Sequence, residues 1–155
     1  MIFLALAYSF GELKIPGFEM GNLFPKPTST DSGQVVINDY IFNVEVSDDA
    51  SERGKGLGGK ESLASDSGML FLFPKADKYP FWMKGLRFSL DFIYISNNEV
   101  VDIIKNAMPP TEGQPDDQLP IYVPAVPVDR VLEVNGGVID NLNIRIGDKV
   151  EVIRN

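Results

Sequence analysis

The chain reads as an all-β domain, a jelly-roll-like sandwich or barrel with one or two short helices and an extended N-terminal arm. Three observations predict this class. Short β-rich apolar runs recur along residues 34–155, turn residues separate them at close intervals, and only two stretches carry helix signals. The sequence holds no internal repeat at solenoid or propeller periods.

The elements follow in order. "QVVI" and "YIFNVEV" stand on either side of Asn38-Asp39, the pattern of a tight hairpin. In the second run Phe42, Val44 and Val46 alternate with Ile41, Asn43 and Glu45, so one face is apolar. Asp49 and Glu52 have the spacing of a capping box, which starts a short helix in "DASERGKGLGG" that Gly56, Gly58 and Gly59 end. "GMLFLFP", Gly68 to Pro74, is too short to span a membrane and is bounded by Gly and Pro, which suits a strand buried on both faces. "LDFIYI" and "EVVDII" around Ser96-Asn97-Asn98 make a second hairpin. Between Met108 and Pro127 stand Pro109, Pro110, Pro115, Pro120, Pro124 and Pro127, with Asp116-Asp117 among them, so this is a long surface loop with at most an edge strand. "RVLEV", a short helix "VIDNLN", "IRI" and "KVEVIRN" then supply two or three closing strands. The expected division is an apolar strand and Pro/Gly-rich arm over 1–33 and a compact domain over 34–155.

Composition narrows the chemistry. At 44% apolar and 23% charged residues the chain is ordinary for a globular protein. It has 22 Asp and Glu against 14 Lys and Arg, a net charge of -8 and no basic run, which speaks against tracking nucleic-acid phosphates. The absence of Cys and His removes thiolate nucleophiles, Cys- or His-ligated zinc, imidazole-based catalytic dyads and axial haem ligation by those residues. Glu112, Asp116 and Asp117 offer oxygens but do not have the spacing of an EF-hand loop, and a solvated loop explains them. No cofactor and no metal are expected.

The segments "ERGKGLGGKESLASDSGMLFLFP" and "FWMKGLRFSLDFIYI", followed by "RVLEV" and "IGDKVEVI", resemble the uncharacterised domain family DUF192, over roughly Val35 to Ile153. Arg53, Gly56 and Leu57 fit its helix motif, Glu61 and Leu63 the next segment, and Gly68 to Pro74 its buried strand. Phe81, Trp82, Met83 and Lys84 fit its "FWMK" signature, Leu90 and Asp91 the strand after it, and Gly147-Asp148 the final turn. The resemblance implies a small β domain found in bacteria and archaea, often secreted or lipid-anchored, with no established activity. Two departures stand out. Ser89 replaces the family's usual Pro, and Gly58 and Gly59 stand where Met or Arg is common, so a pocket lined by those side chains would be shallower here.

The constellation richest in chemistry is Trp82, Lys84 and Asp91 with Arg53, Glu61 and Asp66. An indole face stacks on a pyranose while charged groups fix its hydroxyls, so one reading is a cleft for a polar ligand such as a glycan. A plainer reading has Arg53 paired with a carboxylate and Trp82 and Met83 filling the core around a turn. A third, an enzyme acting through carboxylates such as Asp66 and Asp91, needs paired groups with separated pKa values.

The uncharged opening "MIFLALAYSF" carries most of the functional expectation. As a helix it would be about 15 Å long, half of a roughly 30 Å hydrocarbon core, so no membrane span is expected. Ala5-Leu6-Ala7 has the small-x-small form of a leader cleavage site, without a cationic region before it. As a strand of about 33 Å it places Ile2, Leu4, Leu6, Tyr8 and Phe10 on one face and Phe3 with small residues on the other. Burying those six large side chains is worth on the order of 10 kcal/mol. The long arm behind the strand could deliver it to a neighbouring molecule, as in strand-donation fibres. A leader remnant and folding back on the same chain are the alternatives. The expectation is therefore a non-enzymatic, extracytoplasmic subunit that forms homo-oligomers through its N-terminal strand. The rival is a monomeric secreted or membrane-tethered domain that binds a polar ligand such as a glycan near Trp82 and Lys84, in contact with a cell surface or glycan.

Overall fold

The computed structural model describes residues 31–154. The expectations for Met1–Phe10, and for the arm up to residue 30, lie outside these described residues. Nine strands follow in chain order: β1 Asp31–Ile37, β2 Tyr40–Ser47, β3 Ser67–Asp77, β4 Phe81–Trp82, β5 Leu90–Ser96, β6 Glu99–Ala107, β7 Ile121–Tyr122, β8 Val128–Asn135 and β9 Val150–Arg154. Two short helices interrupt them, α1 Ala50–Lys55 after β2 and α2 Val138–Asn141 after β8. The fold is all-β. Seven strands form one curled sheet, a half-barrel, in the order β6-β5-β8-β3-β2-β1-β9, and β4 pairs with β7 separately.

Both predicted hairpins form, for a backbone reason. Asn38 and Asp39 have φ of 50° and 65°, and Asn97 and Asn98 have φ of 52° and 58°. Two left-handed residues in succession make the turn whose twist matches the flanking strands, and Asn and Asp tolerate that conformation. Side-chain alternation then sorts the core into two layers. On β5, Ile93 and Ile95 enter the inner layer with Phe42, Val44, Leu70 and Leu132, while Leu90, Phe92 and Tyr94 enter an outer layer with Phe71, Met83 and Val131. The segments between strands cover the outer layer, so β5 is buried on both faces almost throughout.

Some expectations change. Asp31, Ser32 and Gly33, assigned to the arm, belong to β1, where Gly33 pairs with Val44 on one side and Arg154 on the other. β2 and β3 run parallel, which requires a crossover, and α1 with residues 56–66 supplies it. β3 is buried on both faces only from Gly68 to Phe71, after which it bulges outward between Leu72 and Asp77. "IRI" is not a strand. Left-handed Asn143 and Gly147 break the backbone on either side of it, and Asp148 accepts from the Arg145 amide at 2.8 Å to hold a loop. Two closing strands remain, β8 and β9.

The sheet edges meet at one end. Glu99 bridges to Lys149, and backbone bonds join Val100 N to Asp148 O (2.9 Å), Gly147 N to Val100 O (2.8 Å) and Val150 N to Asn98 O (2.9 Å). Buried Ile139 of α2 and buried Ile144 pack into the inner layer beside this closure.

Candidate functional site

A cleft of about 570 Å³ opens on the outer layer, walled by the end of α1 and its glycine segment on one side and by residues 71–86 on the other. Local sequence explains each wall. The Asp49 side chain accepts from Glu52 N at 2.8 Å, which caps α1, and the Glu52 carboxylate reaches back to accept from Asp48 N, the residue before the cap, at 3.2 Å. Gly56, at φ 50°, ends the helix. Arg53 then fastens α1 to the sheet: its Nη1 donates to Asp48 O at 2.5 Å and to Leu72 O at 2.9 Å. The guanidinium lies 5.3 Å from the centroid of Phe73, which stacks on Tyr79 at 3.7 Å and 10°. Phe81 meets Phe71 edge-on at 5.1 Å, completing an aromatic wall.

The floor is backbone. Gly59 N donates to Gly85 O at 3.0 Å, and a Cβ on Gly58 would stand 3.0 Å from Lys55 O. Gly58 and Gly59, one of the two departures from the resemblance, thus border the cleft. The other departure has no bearing on it, because Ser89 packs against Gly136 on the far side of β5.

The β4–β7 ribbon sets the rim. Phe81 pairs with Tyr122 and both contact Phe92 of the outer layer. Alternation turns their neighbours Trp82 and Ile121 to solvent, at 45% and 57% exposure. Lys84 Nζ lies 5.2 Å from the Trp82 ring and 2.6 Å from the Asp116 carboxylate. Through Asp116 the proline-rich loop thus supplies a carboxylate partner to Lys84 beside the indole. Among the described residues no group of three or more His, Cys, Asp or Glu is placed to hold a metal.

Of the six candidate residues, Arg53, Trp82 and Lys84 share this cleft. The other three do not. Glu61 is exposed and pairs with Arg87 at 2.8 Å. Asp66 sits at the start of β3, accepting from Asn43 Nδ2 at 3.1 Å. Asp91 is fully buried on the inner face of β5, with one oxygen accepting from Asn106 N and the other from Ile139 N, each at 2.8 Å. Asp66 and Asp91 therefore sit in different surroundings, one on an exposed hydrogen bond beside β3 and the other sealed against backbone amides. The plainer reading holds for Met83, which is fully buried, but Trp82 beside it is not core. Lys55, Phe71, Phe73, Tyr79 and Phe81 also line the cleft, none of them among the six candidate residues. The spacing of Phe71 and Phe73, two residues apart before a Pro, was the available signal for one aromatic face.

Within the outer layer, burial pushes the Glu133 carboxyl up to about 8. Burial first, then the nearby Asp102 and Glu133 carboxyls, raise the Tyr94 hydroxyl above its ordinary range, and that hydroxyl has no hydrogen-bond partner among the described residues.

Among the described residues no helix is long and apolar enough to cross a membrane. A search of curated proteins finds no match. Two solved structures share the fold. One is a protein of unknown function from Novosphingobium aromaticivorans, 32% identical, with a TM-score of 0.70 over 81% of this chain and 89% of that one. The other, from Sinorhizobium meliloti, is described as a candidate transcription regulator and is 29% identical, with a TM-score of 0.68 over 79% of this chain and 92% of that one. The family profile described as an uncharacterized ACR, DUF192, matches residues 33–152. Matched across most of its length, the chain belongs to the DUF192 family.

Proposed function

We propose that this domain is a non-enzymatic, extracytoplasmic binding module whose cleft takes a polar, ring-bearing ligand such as a glycan. The observation that carries this reading is Trp82. It is the chain's single Trp, and it stands 45% exposed at the rim of a glycine-floored aromatic cleft, while its strand neighbour Phe81 packs inward. A large indole left half in water beside a cleft is a common arrangement for stacking a sugar ring. The regulator description of the Sinorhizobium protein belongs to that protein. A net charge of -8 without a basic run gives DNA binding by this chain no support.

The test is a glycan array probed with the full chain and with Trp82→Ala, followed by titration of any bound glycan against Trp82 fluorescence. Binding by the full chain and loss in the variant are expected. A folded full chain that binds no glycan defeats the reading.

A second proposal rests on the alternation of Ile2, Leu4, Leu6, Tyr8 and Phe10: this strand docks into a neighbouring subunit and builds a homo-oligomer or filament. Electron microscopy and light scattering should show assemblies from the full chain and monomers when residues 1–14 are deleted. Monomers from both would end this proposal.

A further inference from the structure

The charge lining the cleft is one-sided. Among the described residues Arg53, Lys55 and Lys84 line it and no Asp or Glu does, in a chain whose net charge is -8. A neighbouring cavity of about 530 Å³, also bordered by Gly56, Gly58 and Gly59, is mixed: Glu45 and Glu52 stand there with Lys55 and Lys60, and Lys60 is paired with Glu45. The same stretch of chain thus borders a balanced cavity and a cationic one.

Part of this pattern has an ordinary cause. Arg53 and Lys55 occupy the last turn of α1, where cations offset the negative helix end. That does not account for Lys84, which comes from a different segment, or for the donors left over. Arg53 uses only Nη1 on its two carbonyls, so among the described residues its Nε and Nη2 donors are left without an acceptor. Among the described residues Lys55 makes no ion pair and no side-chain hydrogen bond. Among the described residues Lys84 is the one cation of the three with a carboxylate partner, Asp116. Guanidinium and ammonium donors beside aromatic faces suit a ligand that is flat on one side and anionic at one edge.

We infer that the ligand is an acidic glycan, with a carboxylate-bearing sugar ring against the aromatic wall and its carboxylate received by Arg53 and Lys55. This rests on the polar-ligand reading above and adds the charge class. Only binding is involved, with no bond made or broken.

The probes are trigalacturonate and its methyl ester, which share their rings and differ in charge. Affinities for the full chain are read by Trp82 fluorescence and calorimetry, with the glycan array as a wider screen. Lys55→Glu is the variant, because Lys55 is exposed and its loss leaves the Arg53 contacts in place. The acid should bind about tenfold or more tighter than the ester, the preference should fall with added salt, and Lys55→Glu should abolish it. Equal binding of acid and ester, or a preference that survives Lys55→Glu, overturns the charge inference and leaves the polar-ligand reading standing. A chain that binds neither probe and no glycan of the array, acidic or neutral, overturns both.

Discussion

Replacing Glu133 by Gln should flatten the pH dependence of stability between pH 5 and 8. Glu133 is 5% exposed on the outer face of β8, in register with Met69 on one side and Phe92 on the other. Its carboxyl makes no hydrogen bond and no ion pair among the described residues, and burial raises its pKa from 4.5 to about 8. Below pH 4.5 the carboxyl is protonated in both the folded and the unfolded chain, and its contribution is constant. Between 4.5 and about 8 the unfolded chain loses the proton and the folded chain keeps it. The folded state then binds more protons, so stability falls by about 1.4 kcal/mol per pH unit, until the folded carboxyl ionises as well. From pH 5 to pH 8 the loss comes to about 3–4 kcal/mol. Urea unfolding of both proteins at pH 5, 6, 7 and 8 measures it, because the other titrating groups are common to both and cancel in the difference. Parallel stability profiles would refute the reasoning and mean that the Glu133 carboxyl reaches water or a partner in the folded chain.

Asp91→Asn should cost about 1–3 kcal/mol, since an amide nitrogen cannot accept and either Asn106 N or Ile139 N loses its partner. Hydrogen exchange should localise the loss to one of those two amides. Arg53→Leu should cost about 1–2 kcal/mol by releasing α1 from Leu72 O, read as a lower urea midpoint with an unchanged slope. Gly68→Ala should cost about 1–3 kcal/mol, because the new Cβ would stand 2.7 Å from Glu133 O and 3.0 Å from Leu132 Cδ1 in the middle of the sheet. Trp82→Ala should change thermal stability by no more than about 1 kcal/mol, as expected for a half-exposed residue, while removing ligand binding.

Features set by neighbouring residues were legible in the sequence. Two turns of Asn or Asp, a capping box and alternating apolar positions specify hairpins, a helix start and a buried face through contacts only a few residues apart. What was not legible depends on distant segments. The parallel pairing of β2 with β3 rests on where the crossover lands, which no local signal encodes. Trp82 and Met83 are equally apolar neighbours, and only the pairing of β4 with β7 decides that one faces water and the other the core. The charged cluster divided for the same reason. Arg53 and Lys84 reach one cleft because α1 and the segment after β4 are folded onto one face of the sheet, whereas Asp91 lies on the opposite face of β5, capping backbone amides that come from β6 and α2. A buried Asp in that role resembles a ligand-binding Asp until its two donors are known.

The pairing of β9 with β1 has a consequence for how the molecule is made. Arg154 reaches Asp31 and Asp48, and the first of these partners lies 123 residues away in sequence. The half-barrel cannot close until β9 has been synthesised, so the unfinished chain carries β1 with one edge unpaired and β6 without its bridge. Unpaired edges recruit other strands, and pairings this distant in sequence form slowly. A nascent chain of this family member is thus most prone to association before its last few described residues are joined, and the closing strand protects the domain as well as completing it.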